Sequence, residues 1–375
     1  MSQPCIQRSA PVSLSFPEKA LLIAKSSAVA FPNKLNLFKT VFCCWLLSMI
    51  YNFSAAQDSS KILKRDTGMH TQNAISAYPL LNTHKIYDQP LTAKQKKNRV
   101  LLVAATNITG YSTILVGLNN AWYTNYPRSK FHFFNDNKEW LQVDKAGHMF
   151  GAYIESRTSM ELWRWSGIER KKRIWFGGLS GILYQTIIET LDGLSTEWGW
   201  SWGDMGANTL GSGILIAQEL AWDDQRVKVK FSFHKNDYGT TELNNRADKI
   251  YGRTLSERLI KDYNALTLWT SVNLYSFMPK SNLPPWLSIA VGYGAEGMFG
   301  ARDNTARDVN GNITFDHREI KRYRQWYLAP DVDFTKIKTN KKGVKVLLTL
   351  LSAFKMPAPS LEFSNGKFKL KALVF

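Results

Sequence analysis

Long apolar stretches broken by single polar residues dominate the middle of the chain, between residues 99 and 223. Val100 to Leu118 is uncharged over a length that could cross a bilayer, although its Thr, Asn, Ser and Gly residues suit a buried helix equally well. Three further segments have helical length and composition: Asp144 to about Trp165, Ile174 to Ile188, and the segment that ends near Trp222. The pattern therefore predicts a bundle of about four helices.

From residue 224 onward the pattern changes to a period of two. Val227, Val229, Phe231 and Phe233 alternate with Lys228, Lys230, Ser232 and His234, which is typical of a half-buried strand. The remaining predicted elements are strands at Thr267–Phe277, Trp286–Tyr293 and Tyr323–Phe334, short helices at Ser256–Tyr263 and near Val344–Leu351, and a final hairpin that turns at Asn365-Gly366. The predicted fold class is α+β, with the helical bundle followed by an antiparallel sheet or partial barrel.

The amino terminus has the layout of a secretion signal. Lys34 and Lys39 form a positive region, Val41 to Phe53 is apolar, and Ser54-Ala55-Ala56 suits a cleavage site. We therefore predict that residues 1–56 are a signal peptide with an amino-terminal extension, and that residues 57–98 are a polar leader; an uncleaved anchor is the alternative. The three cysteines, Cys5, Cys43 and Cys44, all precede the cleavage site, so the mature chain would have neither a disulfide nor a cysteine metal site.

Charge and aromatic content favour a membrane surface as the partner. The chain carries a net charge of +18 and 13% aromatic residues, including 13 Trp. Residues 1–56 contain five basic residues and one acidic residue, so the mature charge would be +14. In an exported protein the natural anionic partners are phospholipid and lipopolysaccharide headgroups, whereas nucleic acid would be considered only for a cytoplasmic protein. The predicted location is periplasmic or outer-membrane-associated.

Acidic, amide and imidazole groups recur at helical spacing on the apolar helices. The pairs that share a helix face are Asp144 and His148, Glu189 and Asp192, and Asp204 and Asn208. Ser212 extends the last pair by one turn. Because isolated charges in apolar surroundings are costly, we expect these side chains to face one another in a single polar cluster between packed helices. This cluster is the candidate site.

Several chemistries fit the candidate site. His148, with Asp144 one turn before it, could act as a general base whose tautomer the carboxylate fixes. Together with Glu189, Asp192 and Asp204 it could hold a divalent metal, but the spacing matches no established metal motif. We therefore assign no metal site, and the sequence leaves the cofactor unknown. A buried hydrogen-bond network that holds the helices in register is the structural alternative, and for Asp204 the alternative is a helix N-cap.

A literal G-x-S-x-G occurs around Ser201. A nucleophile elbow needs a strand before its serine, whereas here an irregular aromatic loop precedes Ser201 and bulky Trp200 and Trp202 flank it. We therefore expect Ser201 to have a structural role in the loop.

The order D-K-x-x-H, E-x-x-D, D-x-x-x-N-x-x-G resembles the uncharacterised YfiM-like family of predicted periplasmic lipoproteins, and also the VanZ-like membrane family. The matching residues are Asp144, Lys145, His148, Glu189, Asp192, Asp204, Asn208 and Gly211. The resemblance covers about Trp140 to Trp222 and implies an envelope location and a site rather than a reaction. The domains expected are then a helical YfiM-like domain at 99–223 and a strand-rich domain at 224–375. The chain lacks a lipobox cysteine, so lipid attachment is not implied.

Three functions follow from these observations. The first is a non-enzymatic, exported envelope protein whose carboxy-terminal sheet docks on a membrane or a partner. The second is an envelope hydrolase or transferase that acts on lipid or cell-wall material with His148 as base. The third is an integral helical membrane protein of VanZ-like topology.

Overall fold

The computed structural model describes residues 91–375 except Trp122, Val309 and Phe375. The predicted signal peptide and most of the predicted leader lie outside these residues. The helices are α1 (Ala93–Ala121), α2 (Val143–Ser166), α3 (Arg170–Gly178), α4 (Ser180–Gly193), α5 (Trp202–Trp222), α6 (Thr241–Tyr251), α7 (Leu255–Lys261), α8 (Leu274–Phe277) and α9 (Lys342–Leu351). The strands are β1 (Val227–Phe233), β2 (Leu266–Asn273), β3 (Leu287–Glu296), β4 (Thr305–Arg307), β5 (Ile313–Asp316), β6 (Tyr323–Val332), β7 (Ala358–Ser364) and β8 (Lys367–Val374).

Helix α2 is the centre of the helical part. Its buried Tyr153 and Met160 pack with Ile174 of α3 and Leu215 of α5 in one apolar core. Helix α5 runs parallel to α2, since Lys145 meets Asp204 near their amino ends and Arg164 meets Glu219 near their carboxyl ends. Helix α4 runs in the opposite direction, with Gly181 against Ala152 of α2 and Glu189 near His148. This arrangement brings the polar stripes of α2, α4 and α5 to the same level.

Glycines on the helices around α2 allow close contact with its backbone. A Cβ atom placed on Gly181 of α4 would lie 2.2 Å from the carbonyl oxygen of Ala152, and one on Gly211 of α5 would lie 2.1 Å from that of Met149. Such distances are far below van der Waals contact, so the two helices can reach α2 only where no side chain stands. Gly147 of α2, by contrast, has nothing within 4 Å of a Cβ atom.

Two alanine substitutions on α5 should therefore have opposite effects. Gly211→Ala should destabilise the fold by about 1–3 kcal/mol because α5 must move away from α2. Gly213→Ala, at an exposed position with nothing within 4 Å, should stabilise it by up to about 1 kcal/mol through helix propensity. Denaturant unfolding of both variants measures the difference, and equal effects would contradict the close packing.

The strands form one six-stranded antiparallel sheet in the order β1-β2-β3-β6-β7-β8, with β4 and β5 in a separate two-stranded sheet. The α+β class is therefore confirmed. A bundle of four helices is not confirmed, because within the described residues α1 to α5 precede the sheet and α6 to α9 lie between its strands. The large sheet is not closed into a barrel. Helix α1 begins at Ala93, inside the predicted leader.

Most predicted elements match observed ones, and the final hairpin has the predicted turn. Asn365 and Gly366 adopt positive φ values of 49° and 74°, as a type I′ turn requires. The predicted strand Thr267–Phe277 is shorter than expected, because β2 ends at Asn273 and α8 follows. Asn273 caps α8 by accepting a hydrogen bond from the backbone of Ser276, which explains the change of structure at this residue.

The large sheet buries polar side chains on one face and exposes apolar side chains on part of the other. Lys228 and Lys230 of β1 are 3% and 0% exposed, and they form ion pairs with Asp333 and Asp331. On the opposite face, Trp326 and Leu328 of β6 are 47% and 49% exposed. Strand β1 was predicted to be half-buried but is covered on both faces, because Val229 on its apolar side is also only 1% exposed.

Candidate functional site

The ammonium group of Lys145 lies at the centre of a carboxylate cluster. Its Nζ is 2.6 Å from Oδ1 of Asp136, 3.1 Å from Oδ2 of Asp144 and 2.8 Å from Oδ1 of Asp204. Burial by itself would lower the pKa of Lys145, but Asp144 and Asp204, with the hydrogen bond to Asp136, outweigh that effect and raise it. Lys145 therefore remains charged and binds the loop before α2 to the start of α5.

His148 lies one turn further along α2, between two carboxyl groups. Its Nδ1 is 3.7 Å from Oε1 of Glu189, and its Nε2 is 3.7 Å from Oδ1 of Asp204. Both distances exceed those of a direct hydrogen bond. The His148 side chain is 23% exposed, whereas those of Glu189 and Asp204 are 2% and 7% exposed. The imidazole is thus the part of this group that solvent or a ligand can reach.

Burial raises the pKa values of the carboxyl groups around His148. The pKa of Glu189 rises to about 9, because burial and the nearby charge of Asp204 both disfavour its ionised form. The pKa of Asp204 rises to about 6, again mainly through burial. Burial also raises the pKa of Asp144. Glu189 therefore holds its proton at neutral pH, and the site has more carboxyl groups than nearby positive charges can neutralise.

The other predicted residues occupy positions next to this group. Asp192 accepts a hydrogen bond of 2.7 Å from the hydroxyl of Tyr123, and burial raises its pKa to about 6. Asn208 is fully buried, and neither atom of its amide group has a hydrogen-bond partner. Ser212 lies 3.0 Å from the hydroxyl of Ser156, so it belongs to a separate hydroxyl pair between α2 and α5.

Two predicted local roles differ in the structure. The N-cap of α5 is Ser201, whose hydroxyl accepts from the backbone N–H of Asp204 at 3.1 Å, so Asp204 itself is not the cap. Ser201 also donates to Asp136 at 2.6 Å, which gives it a structural role. The carboxylates facing His148 are Glu189 and Asp204, while Asp144 binds Lys145 instead.

Asp136 is the residue that the sequence did not identify. It lies in the loop before α2, where no helical spacing links it to the other acidic residues. Its bonds to Lys145 and Ser201, and a hydrogen bond with Asp204, outweigh the effect of burial and lower its pKa. Lys145 was the signal in the sequence that could have led to Asp136. This cation lies on a predicted helix near several acidic residues, and its carboxylate partner had not been assigned.

A second feature of functional interest is the exposed side of the large sheet. Paired residues form a row across all six strands: Phe231, Leu268, Tyr293, Trp326, Phe363 and Phe368. Phe150 of α2 packs on the start of this row, with ring centroids 5.0 Å from Phe231. Among the described residues, no helix covers the row in this way beyond β3, where Trp326 is 47% exposed. We call the uncovered apolar side chains the outer sheet face: Ile289, Val291, Trp326, Leu328, Leu361, Phe363, Phe368 and Leu370, which are 39–83% exposed.

Helix α1 adds a second apolar surface. The segment Ala93–Asn120 is long and apolar enough to cross a membrane, with a mean hydropathy of 1.6 and only 6% of its most apolar window buried. It is the one such helix among the described residues. It contacts the rest of the chain through polar and aromatic groups: Arg99 donates to the carbonyl of Trp165 at 3.1 Å, and Tyr111 stacks on Tyr184.

Comparisons with known proteins gave no match to a family model, to a curated protein or to a solved structure.

Proposed function

We propose that this chain is an exported cell-envelope protein that attaches to a membrane through the outer sheet face. The observation that carries the proposal is the apolar side of the sheet that β6, β7 and β8 expose opposite buried polar groups. Phe368 and Leu370 are 70% and 83% exposed, while Lys230 and Asp331, on the opposite face, are fully or almost fully buried. A soluble sheet places its apolar side inward, whereas a sheet in contact with lipid places it outward.

The size and composition of the outer sheet face support lipid as its occupant. The face extends over four strands, β3, β6, β7 and β8, and carries aromatic and branched aliphatic side chains in adjacent rows. Contiguous exposed apolar patches of this kind mark interaction sites. The excess of basic residues, which gives a net charge of +18, favours an anionic membrane surface over a neutral one.

The amino-terminal pattern supports export in this proposal. Lys34, Lys39 and the apolar run that follows have the form of a secretion signal. The resemblance of the Asp144–Gly211 motif to YfiM-like proteins implies the same location. Helix α1, mostly exposed and apolar, gives a second point of contact with the same membrane.

Lipid contact can be measured residue by residue, because the described chain contains no cysteine. With Cys5, Cys43 and Cys44 replaced by serine, a single cysteine at position 370 or 328 is labelled with an environment-sensitive dye. The protein is then mixed with phosphatidylcholine vesicles that contain phosphatidylglycerol and a nitroxide-labelled lipid. We expect dye at both positions to be quenched, because burial of these side chains in lipid contributes about 1.5–3 kcal/mol each.

Matched controls separate this contact from anchoring by α1. Lys369 neighbours Leu370 on β8 but faces the other side, and Leu255 of α7 is 65% exposed elsewhere on the protein. Dye at positions 369 and 255 should not be quenched. Equal quenching at all four positions, or none at 370 and 328, would show that the outer sheet face does not bind lipid.

A second candidate function is an envelope hydrolase or transferase with His148 as general base. The observation in its favour is the accessible imidazole of His148 between the buried groups of Glu189 and Asp204. A general base must lie within hydrogen-bond reach of the proton that it removes, and the accessible ring of His148 can meet a substrate in this way. A substrate bound from the exposed side of the ring would meet this base directly.

A further inference from the structure

We infer that His148, Glu189 and Asp204 form a binding site for one divalent transition-metal cation, of the series from Mn²⁺ to Zn²⁺. The inference concerns the helical core and does not depend on membrane attachment. It also differs from the sequence prediction, in which the spacing of these residues matched no metal motif.

The distances among the three side chains suit ligands of a common ion. One ring nitrogen of His148 and one carboxylate oxygen each of Glu189 and Asp204 lie within 4.8 Å of one another. The two shortest contacts, both 3.7 Å, use different ring nitrogens, Nδ1 toward Glu189 and Nε2 toward Asp204, and only one nitrogen can bind a given ion. Ligand atoms about 2.1 Å from a tetrahedral ion are separated by about 3.4 Å, so binding requires the carboxyl groups to shift inward toward one ring nitrogen.

A second acidic triad nearby does not have this property. Asp136, Asp144 and Asp204 also offer oxygens within 4.8 Å of one another. The ammonium of Lys145 already lies 2.6–3.1 Å from all three, so the position of a cation in that triad is taken by a side chain. In the triad around His148, Asp204 also contacts this ammonium through Oδ1, whereas Glu189 and His148 form no ion pair with it.

The charge around the site favours an added cation. Asp136, Asp144, Glu189 and Asp204 bring four carboxyl groups together, and Lys145 neutralises one of them. Buried carboxylates without counter-ions are strongly disfavoured, so they must either bind protons or bind a metal. One divalent ion at His148 would compensate two further negative charges.

Buried polar atoms without partners are the independent sign of a missing ligand. Asn208 is 0% exposed, and both its amide oxygen and its amide nitrogen lack a hydrogen bond. It lies one turn after Asp204, and Gly211, three residues further, touches the main chain of α2 at Met149. Asn208 therefore faces α2 at the level of the site. Nδ1 of His148 and Oδ1 of Asp144 are also buried without hydrogen bonds.

The donor set defines the class of ion. Imidazole and carboxylate ligands together suit Zn²⁺, Mn²⁺ and Fe²⁺, whereas Mg²⁺ and Ca²⁺ prefer oxygen ligands alone. We therefore expect Zn²⁺ and Mn²⁺ to bind more tightly than Mg²⁺.

The experiment is a calorimetric titration of the full chain, purified in detergent and freed of metal by a chelator, with ZnCl₂, MnCl₂ and MgCl₂. The expected result is one Zn²⁺ or Mn²⁺ per chain, with binding weakened at least tenfold in His148→Ala and Glu189→Gln. His317→Ala is the matched control, because His317 also contacts two carboxylates, those of Glu242 and Glu319, but lies outside the core. Its titration should match that of the unaltered chain.

A second readout applies even if these variants fail to fold. Co²⁺ added to the unaltered chain should give a visible absorption band with a one-to-one endpoint, and Zn²⁺ should displace it. The inference is overturned if no such band develops, or if His148→Ala and Glu189→Gln fold normally and bind Zn²⁺ as tightly as the unaltered chain.

Discussion

Replacement of Asp331 by alanine should lower the free energy of unfolding by about 3–5 kcal/mol. The Asp331 carboxylate accepts hydrogen bonds from Nζ of Lys230 at 2.6 Å and from Ser271 at 2.6 Å, and Nζ of Lys355 lies 4.0 Å away. The side chains of Lys230, Asp331 and Lys355 are fully shielded from solvent. Without Asp331, two buried ammonium groups would lack a counter-charge, and this is the source of the large effect.

A double variant tests whether the loss comes from the uncompensated charge. Lys230→Met with Asp331→Leu removes both members of the pair and keeps similar volumes, and buried pairs replaced in this way are often neutral or stabilising. Lys355 would keep its hydrogen bond to the carbonyl of Met356 at 2.6 Å. We expect denaturant unfolding to show part of the stability restored in the double variant, since one buried ammonium, that of Lys355, then lacks a counter-charge instead of two. A loss as large as that of Asp331→Ala alone would contradict the charge explanation.

Glu189→Gln should make the stability of the protein much less dependent on pH. The pKa of Glu189 is about 9 in the folded chain, against an ordinary value of 4.5. Between these values the folded state holds a proton that the unfolded state has lost, so the free energy of unfolding falls as pH rises. The stabilisation is complete below about pH 4.5 and is lost by about pH 9. The greatest slope is about 1.4 kcal/mol per pH unit.

Glutamine resembles the protonated form of Glu189 and does not ionise. Thermal or denaturant unfolding in the presence of a chelator should therefore give similar stability for both chains near pH 5. Between pH 6 and pH 9, the Gln variant should gain up to about 4 kcal/mol in free energy of unfolding relative to the unaltered chain. Glu197→Gln, at an exposed position in the following loop, should leave the pH dependence unchanged. Parallel curves for the unaltered chain and Glu189→Gln would show that Glu189 ionises normally.

Local sequence signals located the secondary structure well. The apolar run from Asp144 to Trp165 corresponds to α2 at Val143–Ser166, and the alternation at Val227 to Phe233 corresponds to β1. Asn365-Gly366 predicted its turn because few other residue pairs adopt two successive positive φ values easily. These signals depend only on neighbouring residues along the chain.

Spacing along the helices also indicated the members of the candidate site, but not their partners. The sequence paired His148 with Asp144, because four residues separate them on one helix face. In the structure His148 instead faces Glu189 and Asp204 from two other helices, and Asp144 binds Lys145. Asp136 was missed, since a loop residue has no periodic position that could relate it to the others.

The sequence by itself located most of the helices and strands and indicated which polar residues must be compensated in an apolar core. Only the tertiary structure decided which side of the sheet faces outward. An alternating strand such as β1 has the same pattern whichever face is buried, so Lys230 could be assigned to the interior only when Asp331, a hundred residues away in the chain, was found beside it. The charge on a side chain is a local property, but its compensation depends on strands and helices that come together only when the chain folds.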